Sequence, residues 1–147
     1  MTARDLPSPL LQPVASQDVA AAVRSAIGAD EALLSTPAGT VLVDAKVLGE
    51  HLAPERTAYL PLLKDALTNP HEVWQSFEQH KGTGKVVLRT RFVTVYQVRK
   101  GQAVMVVTSA THGVMSAWTL IGTSDMKYLN AQRAGQLLHI EGEALTP

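Results

Sequence analysis

At 147 residues and 15.8 kDa the chain has the length of one domain, and with 46% hydrophobic and 18% charged residues it excludes intrinsic disorder as the main state. The absence of cysteine excludes a disulfide framework, a thiolate metal site and a cysteine nucleophile. No apolar run approaches the ~20 residues of a membrane helix, and the proline-interrupted start (MTARDLPSPLLQP) shows no secretory signal core. The formal net charge of zero is the sum of two unlike halves: residues 1–74 carry five basic and nine acidic side chains, a net −4, and residues 75–147 carry eight and four, a net +4. Such asymmetry is one hint of an anionic partner.

In chain order, residues 1–15 read as a proline-bearing leader with apolar anchors at Leu6, Leu10, Leu11 and Val14. Ser16 caps a helix over 17–27, with Val19, Val23 and Ile27 as one stripe and Gly28 as its stop. After the turn Thr36-Pro37-Ala38-Gly39, residues 41–45 read as a strand. Pro54 opens a helical stretch with Tyr59, Leu60, Leu63 and Leu67 on one face, and Pro61 must kink it or delay its start. Asn69-Pro70-His71-Glu72 resembles a capping box, which predicts a helix over 70–80 that buries Val73, Trp74 and Phe77. From residue 86 the period changes. Residues 86–98, 103–110 and 114–122 read as a β-meander, with turns at Lys100-Gly101-Gln102 and Thr111-His112-Gly113. Ser124 caps a helix over 125–134, Gly135 stops it, and residues 137–140 make a short closing strand. Helices followed by a run of strands indicate an α+β fold.

Several motifs fail as sites. Gly82-Thr83-Gly84-Lys85 lacks the first glycine, the following Ser/Thr and the following helix of a phosphate loop. His71-Glu72 has Gln75 where a zinc-protease helix needs its second histidine, and the five histidines share no ligand spacing. What remains is the strand from residue 86. Arg89 and Arg91 stand two apart on one face, where they either fork around an anion or pair with carboxylates such as Glu72 or Glu78. His51 stands where a strand gives way to a helical region and has the residue type of a general acid or base, or of a surface cap. Arg56 and Tyr59 follow it, Tyr128 and Arg133 lie on the last helix, and Trp118 on the third meander strand is either a stacking platform or core.

The order of these elements resembles a known family. A strand leads to His51, then come Arg56-x-x-Tyr59-Leu60, Asn69-Pro70-x-Glu72-Val73-Trp74, Leu88-Arg89-x-Arg91, Lys127-Tyr128-Leu129 and Arg133-x-Gly135. Over residues 41–140 the chain looks like the phage-associated barnase–EndoU–colicin–RelE-like nucleases, found in phage Mu F-like head-morphogenesis proteins and toxin modules. The resemblance implies N-terminal helices packed on a curved antiparallel sheet of about four strands, with a helix before the last strand. It divides the chain into a leader and helical segment, residues 1–40, and a nuclease domain, residues 41–147. It implies metal-independent, cofactor-free RNA cleavage by 2′-OH attack, with a 2′,3′-cyclic phosphate as product. In that reading His51 is the general base or acid, Arg56, Arg89 and Arg91 hold the phosphate, and Thr119 bonds a phosphate oxygen. Tyr59, Trp118, Tyr128 and Arg133 contact the substrate. The expected partner is RNA, with tRNA among the candidates, alongside an immunity protein or a phage head protein. The expected location is the bacterial host cytoplasm or the virion, with no membrane. The alternatives are a non-catalytic nucleic-acid-binding or head-assembly module on the same fold, and an enzyme acting on a small anionic ligand such as a nucleotide.

Overall fold

The computed structural model describes residues 3–79, 81–97, 103–111, 114–123 and 125–142, and for 103–111, 114, 118 and 119 the description covers the backbone only. A 3-10 turn at Ser16–Asp18 leads into α1, Val19–Ile27, which ends where Gly28 takes φ 77° and donates to the Arg24 carbonyl at 2.8 Å. The strands β1, Glu31–Thr36, and β2, Gly39–Asp44, form a hairpin. The Asp44 carboxylate then accepts from the Lys46 and Val47 N–H groups and so caps α2, Ala45–His51. Pro61 keeps Pro54–Leu62 in a 3-10 helix, and α3, Leu63–Thr68, begins just beyond it, since a proline removes one donor of the α ladder. There follow β3, Glu72–Gln79; β4, Val86–Val95; β5, Ala103–Thr111; β6, Val114–Thr123; α4, Met126–Gln132; and β7, Gln136–Ile140.

One seven-stranded sheet runs in the order β1-β2-β6-β5-β4-β3-β7. All its pairs are antiparallel except β2 with β6, a short parallel contact at Val41↔Met115 and Leu42↔Ser116. On one face Val41, Val43, Val73, Phe92, Tyr96, Ala117 and Leu120 are buried. They share a core with Val19 and Val23 of α1, Leu48 of α2, Leu60 and Leu62 of the 3-10 helix, and Leu63 and Leu67 of α3. Each such side chain contributes about 1.5–3 kcal/mol by leaving water. The opposite face holds a smaller cluster in which Leu129 of α4 packs on Val93, joined by Trp74, Val95, Ile121 and Tyr128. The α+β architecture, the N-terminal helices on one face and the helix before the last strand are as expected. The sheet is larger than about four strands, and the core is continuous from α1 and β1 into the meander.

Two segments account for the larger sheet. Residues 72–79, expected within a helix over 70–80, are strand β3, paired with β4 from Glu72↔Val93 to Gln79↔Val86. Asn69 is not a cap for a following helix but the end of α3, its N–H bonded to the Asp65 carbonyl at 2.8 Å. The apolar spacing Val73, Trp74, Phe77 mimics a helix because the sheet is covered on both faces: Val73 faces the N-terminal helices and Trp74 faces α4. Residues 31–36, not assigned from sequence, are edge strand β1, half of it exposed. The last helix is capped by Asp125, whose carboxylate accepts from Lys127 N–H at 3.0 Å. The turns expected around Lys100-Gly101-Gln102 and His112-Gly113, the cap Ser124, and His80 lie outside the described residues.

At the end of β4 the N-terminal segment is tied to the sheet. Arg4 forms a bridge with Tyr96, and its guanidinium donates to Asp65 at 2.8 Å, the Asn69 carbonyl at 2.6 Å and Glu141 at 3.0 Å. The Tyr96 hydroxyl donates to the same Asp65 carboxylate, while Nδ1 of His71 accepts from the Val95 N–H at 3.0 Å. Burial first, and the hydrogen bond to Asp65 next, hold the Tyr96 phenol well above its ordinary titration range. Burial and the charge of Arg4 push His71 down, which keeps it the neutral acceptor that Val95 needs. A raised folded-state pKa gives stability that is complete below the unfolded value, about 10, and is lost as pH rises above it. Thermal melts should therefore fall above about pH 10. Tyr96→Phe should flatten that fall and cost about 1.5–3 kcal/mol at neutral pH, the worth of a hydrogen bond to a charged group. An unchanged alkaline slope in the variant would rule this out.

Candidate functional site

Alternation along β4 puts Arg89 and Arg91 on the face away from the N-terminal helices. Their cross-strand partners on β3 are Ser76 and Trp74, and Glu78 stands opposite Val87 on the same face. Three polar groups therefore meet there. Arg91 donates to Ser76 Oγ at 3.0 Å and pairs with Glu78 through Nη2. Arg89 reaches the second oxygen of the same carboxylate at 3.3 Å. Two guanidinium groups around one carboxylate leave a net charge of about +1. Among the described residues, Nε of Arg89 and Nε of Arg91 are buried donors with no hydrogen-bond partner. The Arg91 side chain is 8% exposed, and those of Arg89 and Glu78 are 31% and 33% exposed, so the cluster is walled on one side and open on the other.

Backbone register sets the residues of the neighbouring strands in line with the two arginines. Ser109 stands opposite Arg89, and Ser116 opposite Ser109. Val107 stands opposite Arg91, and Thr119 opposite Val107. Among the described residues helix α4 covers the face toward the Val93 end. There Arg133, just past the helix, clamps Glu72 of β3 with Nε at 2.8 Å and Nη2 at 2.9 Å, and Trp74 Nε1 donates to Glu72 at 2.9 Å. Gly135, at φ 92°, makes this approach possible, since a Cβ there would lie 2.2 Å from the Gln75 carbonyl oxygen.

The sequence-derived candidates divide between two sides of the sheet. Arg89 and Arg91 lie together on the open face, and Thr119 shares a lateral row with Arg91 at a register position two strands away. Trp118 is the extra residue of a bulge between Val107↔Thr119 and Thr108↔Ala117. Tyr128 packs in the α4 cluster, and Arg133 is engaged with Glu72 and Asn130. His51, Arg56 and Tyr59 belong to the helical layer on the other face. His51 is exposed at the end of α2, its Nδ1 at 2.8 Å from the Val47 carbonyl. The Tyr59 ring lies against Gly122, where an added Cβ would fall 2.4 Å from a ring carbon. Gly122 stands opposite Val104, and Val104 opposite Thr94, so Tyr59 sits over the far end of the meander from Arg89. Glu78 and Ser76 join the cluster without having been among the site residues expected from sequence. Reading residues 72–79 with period two would have aligned Glu72, Trp74, Ser76 and Glu78 on one face beside the two arginines.

Among the described residues no group of three or more His, Cys, Asp or Glu is placed to hold a metal ion, and no helix is long and apolar enough to cross a membrane. A family model described as phage-Barnase-EndoU-ColicinE5/D-RelE like nuclease2 matches residues 18–140, a span that takes in α1 and every strand. Neither the curated proteins nor the solved structures contain a match to the chain.

Proposed function

The chain belongs to the phage-associated barnase–EndoU–colicin E5/D–RelE-like nuclease family, and on that premise we propose that it is an endoribonuclease whose scissile phosphate binds at Arg89 and Arg91. The observation that carries this is the pair of guanidinium groups around a single carboxylate on this sheet face, two five-donor forks against one acceptor group. An entering phosphate gains charge-assisted hydrogen bonds from both arginines. As it does so the Glu78 carboxylate is released from them and becomes a base. Glu78 takes the proton of the ribose 2′-OH, the O2′–P bond forms, and the P–O5′ bond breaks. The leaving oxygen takes its proton from water on the exposed side. The arginines hold the charge that builds on the phosphorane, a contribution of about 10²–10³ in rate, and the base adds about 10²–10⁴. The products are a 2′,3′-cyclic phosphate and a 5′-hydroxyl. The helical-layer residues His51, Arg56 and Tyr59 have no contact with the reacting phosphate in this reading.

The test is a digest of mixed tRNA and mRNA by the purified protein in EDTA, with the 3′ ends mapped. Cyclic phosphate termini are expected. Salt-dependent binding without turnover would instead identify a nucleic-acid-binding module on the same fold.

A further inference from the structure

The hairpin of β3 and β4 extends past the sheet that holds it. β7 pairs with β3 only from Glu72 to Gln75, and β5 pairs with β4 only from Arg89 to Val95. Among the described residues Phe77–Gln79 and Val86–Leu88 are therefore paired only with each other, as a two-stranded arm. The turn at its tip is built locally: Gln79 Nε2 donates to the Gly84 carbonyl at 3.2 Å, and the Lys85 N–H to Thr83 Oγ1 at 3.3 Å. On one side of the arm Phe77 stands directly opposite Leu88 and Gln79 opposite Val86, and Phe77 and Val86 are 76% and 65% exposed. The other side carries Glu78 and, at the root, Arg89.

We infer that this arm is a single-stranded RNA contact, with Phe77 as a stacking platform for a base near the scissile phosphate and Lys81 and Lys85 on the phosphates beyond it. The inference rests on the ribonuclease reading above. Charge favours nucleic acid over a protein partner. From residue 76 to 89 the arm carries Lys81, Lys85 and Arg89 against Glu78, a net +2, and Glu78 is already paired with two arginines. Both lysines are exposed, in the turn that follows the aromatic's strand. An aromatic with an adjoining cationic track is the usual platform for unpaired bases, because every base offers a π-face. Reach is not a barrier. Neighbouring strands lie about 5 Å apart, so an RNA chain held at Arg89 passes round an edge of the arm and comes onto Phe77. The contact would make the enzyme select single-stranded substrate without reading sequence.

The experiment measures binding of a fluorescent 2′-O-methyl oligouridine of about ten residues, within the usual span of single-strand sites. Having no 2′-OH, this probe is not cut. Wild type is compared with Phe77→Ala, Phe77→Tyr and the double change Lys81→Ala, Lys85→Ala, and each protein is also assayed for cleavage of the unmodified oligonucleotide. Phe77→Ala is expected to weaken binding about 5- to 50-fold, and Phe77→Tyr by less than about twofold. The double lysine change should lower the slope of log K against log salt by about 1.4, at ~0.7 per single-strand contact. Wild type that cuts the oligonucleotide while Phe77→Ala binds and cuts equally well overturns the arm's role and leaves the ribonuclease reading standing. Wild type that neither binds nor cuts overturns both. If Phe77→Ala keeps its RNA affinity but dissociates an oligomer in sedimentation, the arm is a protein interface and the proposal fails.

Discussion

Glu78→Gln should lower the rate of RNA cleavage by about 10²–10⁴-fold while the protein stays folded. Glutamine keeps an oxygen that can accept from Arg91 or Arg89, so the cost in stability is about 1–3 kcal/mol and not a collapse of the sheet. It cannot take a proton from a 2′-OH. Arg89→Ala should lower the rate by about 10²–10³-fold, with little effect on folding because this arginine is the more exposed of the two. Single-turnover cleavage of a defined oligonucleotide, with a melting curve on each variant, separates loss of chemistry from loss of fold. A Glu78→Gln protein that cuts within threefold of wild type would remove the carboxylate from the mechanism.

Arg133→Ala is expected to be the most damaging change to stability on the α4 side. Glu72 is a buried carboxylate held by two donors of Arg133 and one of Trp74. Removing Arg133 leaves a buried charge with only the indole N–H, which costs about 3–5 kcal/mol. For a chain of this size that is a fall of roughly 10–15 °C in Tm. Pairing the change with Glu72→Leu should restore part of the loss, since it removes the buried charge that Arg133→Ala leaves unpaired. A single variant that melts within a degree or two of wild type would show that the clamp is idle. Activity should fall less than stability here, because this pair lies toward the covered end of the face, away from Ser76 and Arg89.

The physical origins of these two effects also explain how much of the fold is legible in the sequence. The α1 stripe, the Gly28 stop, the delay that Pro61 imposes and the β-branched meander are local signals, and each appears where it was expected. Segment 72–79 was misread because its apolar pattern answers to two cores at once. Val73 serves the helical layer and Trp74 serves α4, and only a sheet covered on both faces makes those neighbours both buried. Strand β1 was missed because an edge strand with one buried leucine carries almost no periodic signal. The proposed site depends on the fold. Arg89 and Arg91 were visible as a pair on one face, and pairing with Glu78 was one of the two roles weighed for them. Glu78 looked like a remote helical carboxylate and instead stands on the adjacent strand, opposite Val87 and one diagonal step from Arg89. His51 was chosen for its residue type, and residue type says nothing about which face of a sheet the following helix will cover.

The decisive measurement is therefore the cleavage rate of His51→Ala beside that of Glu78→Gln, on one oligoribonucleotide in EDTA. The open-face cluster predicts that His51→Ala yields the same cyclic phosphate ends at close to the wild-type rate and that Glu78→Gln yields almost none. The reverse pattern, activity lost with His51 and kept without Glu78, would place the chemistry on the helical side and contradict the account.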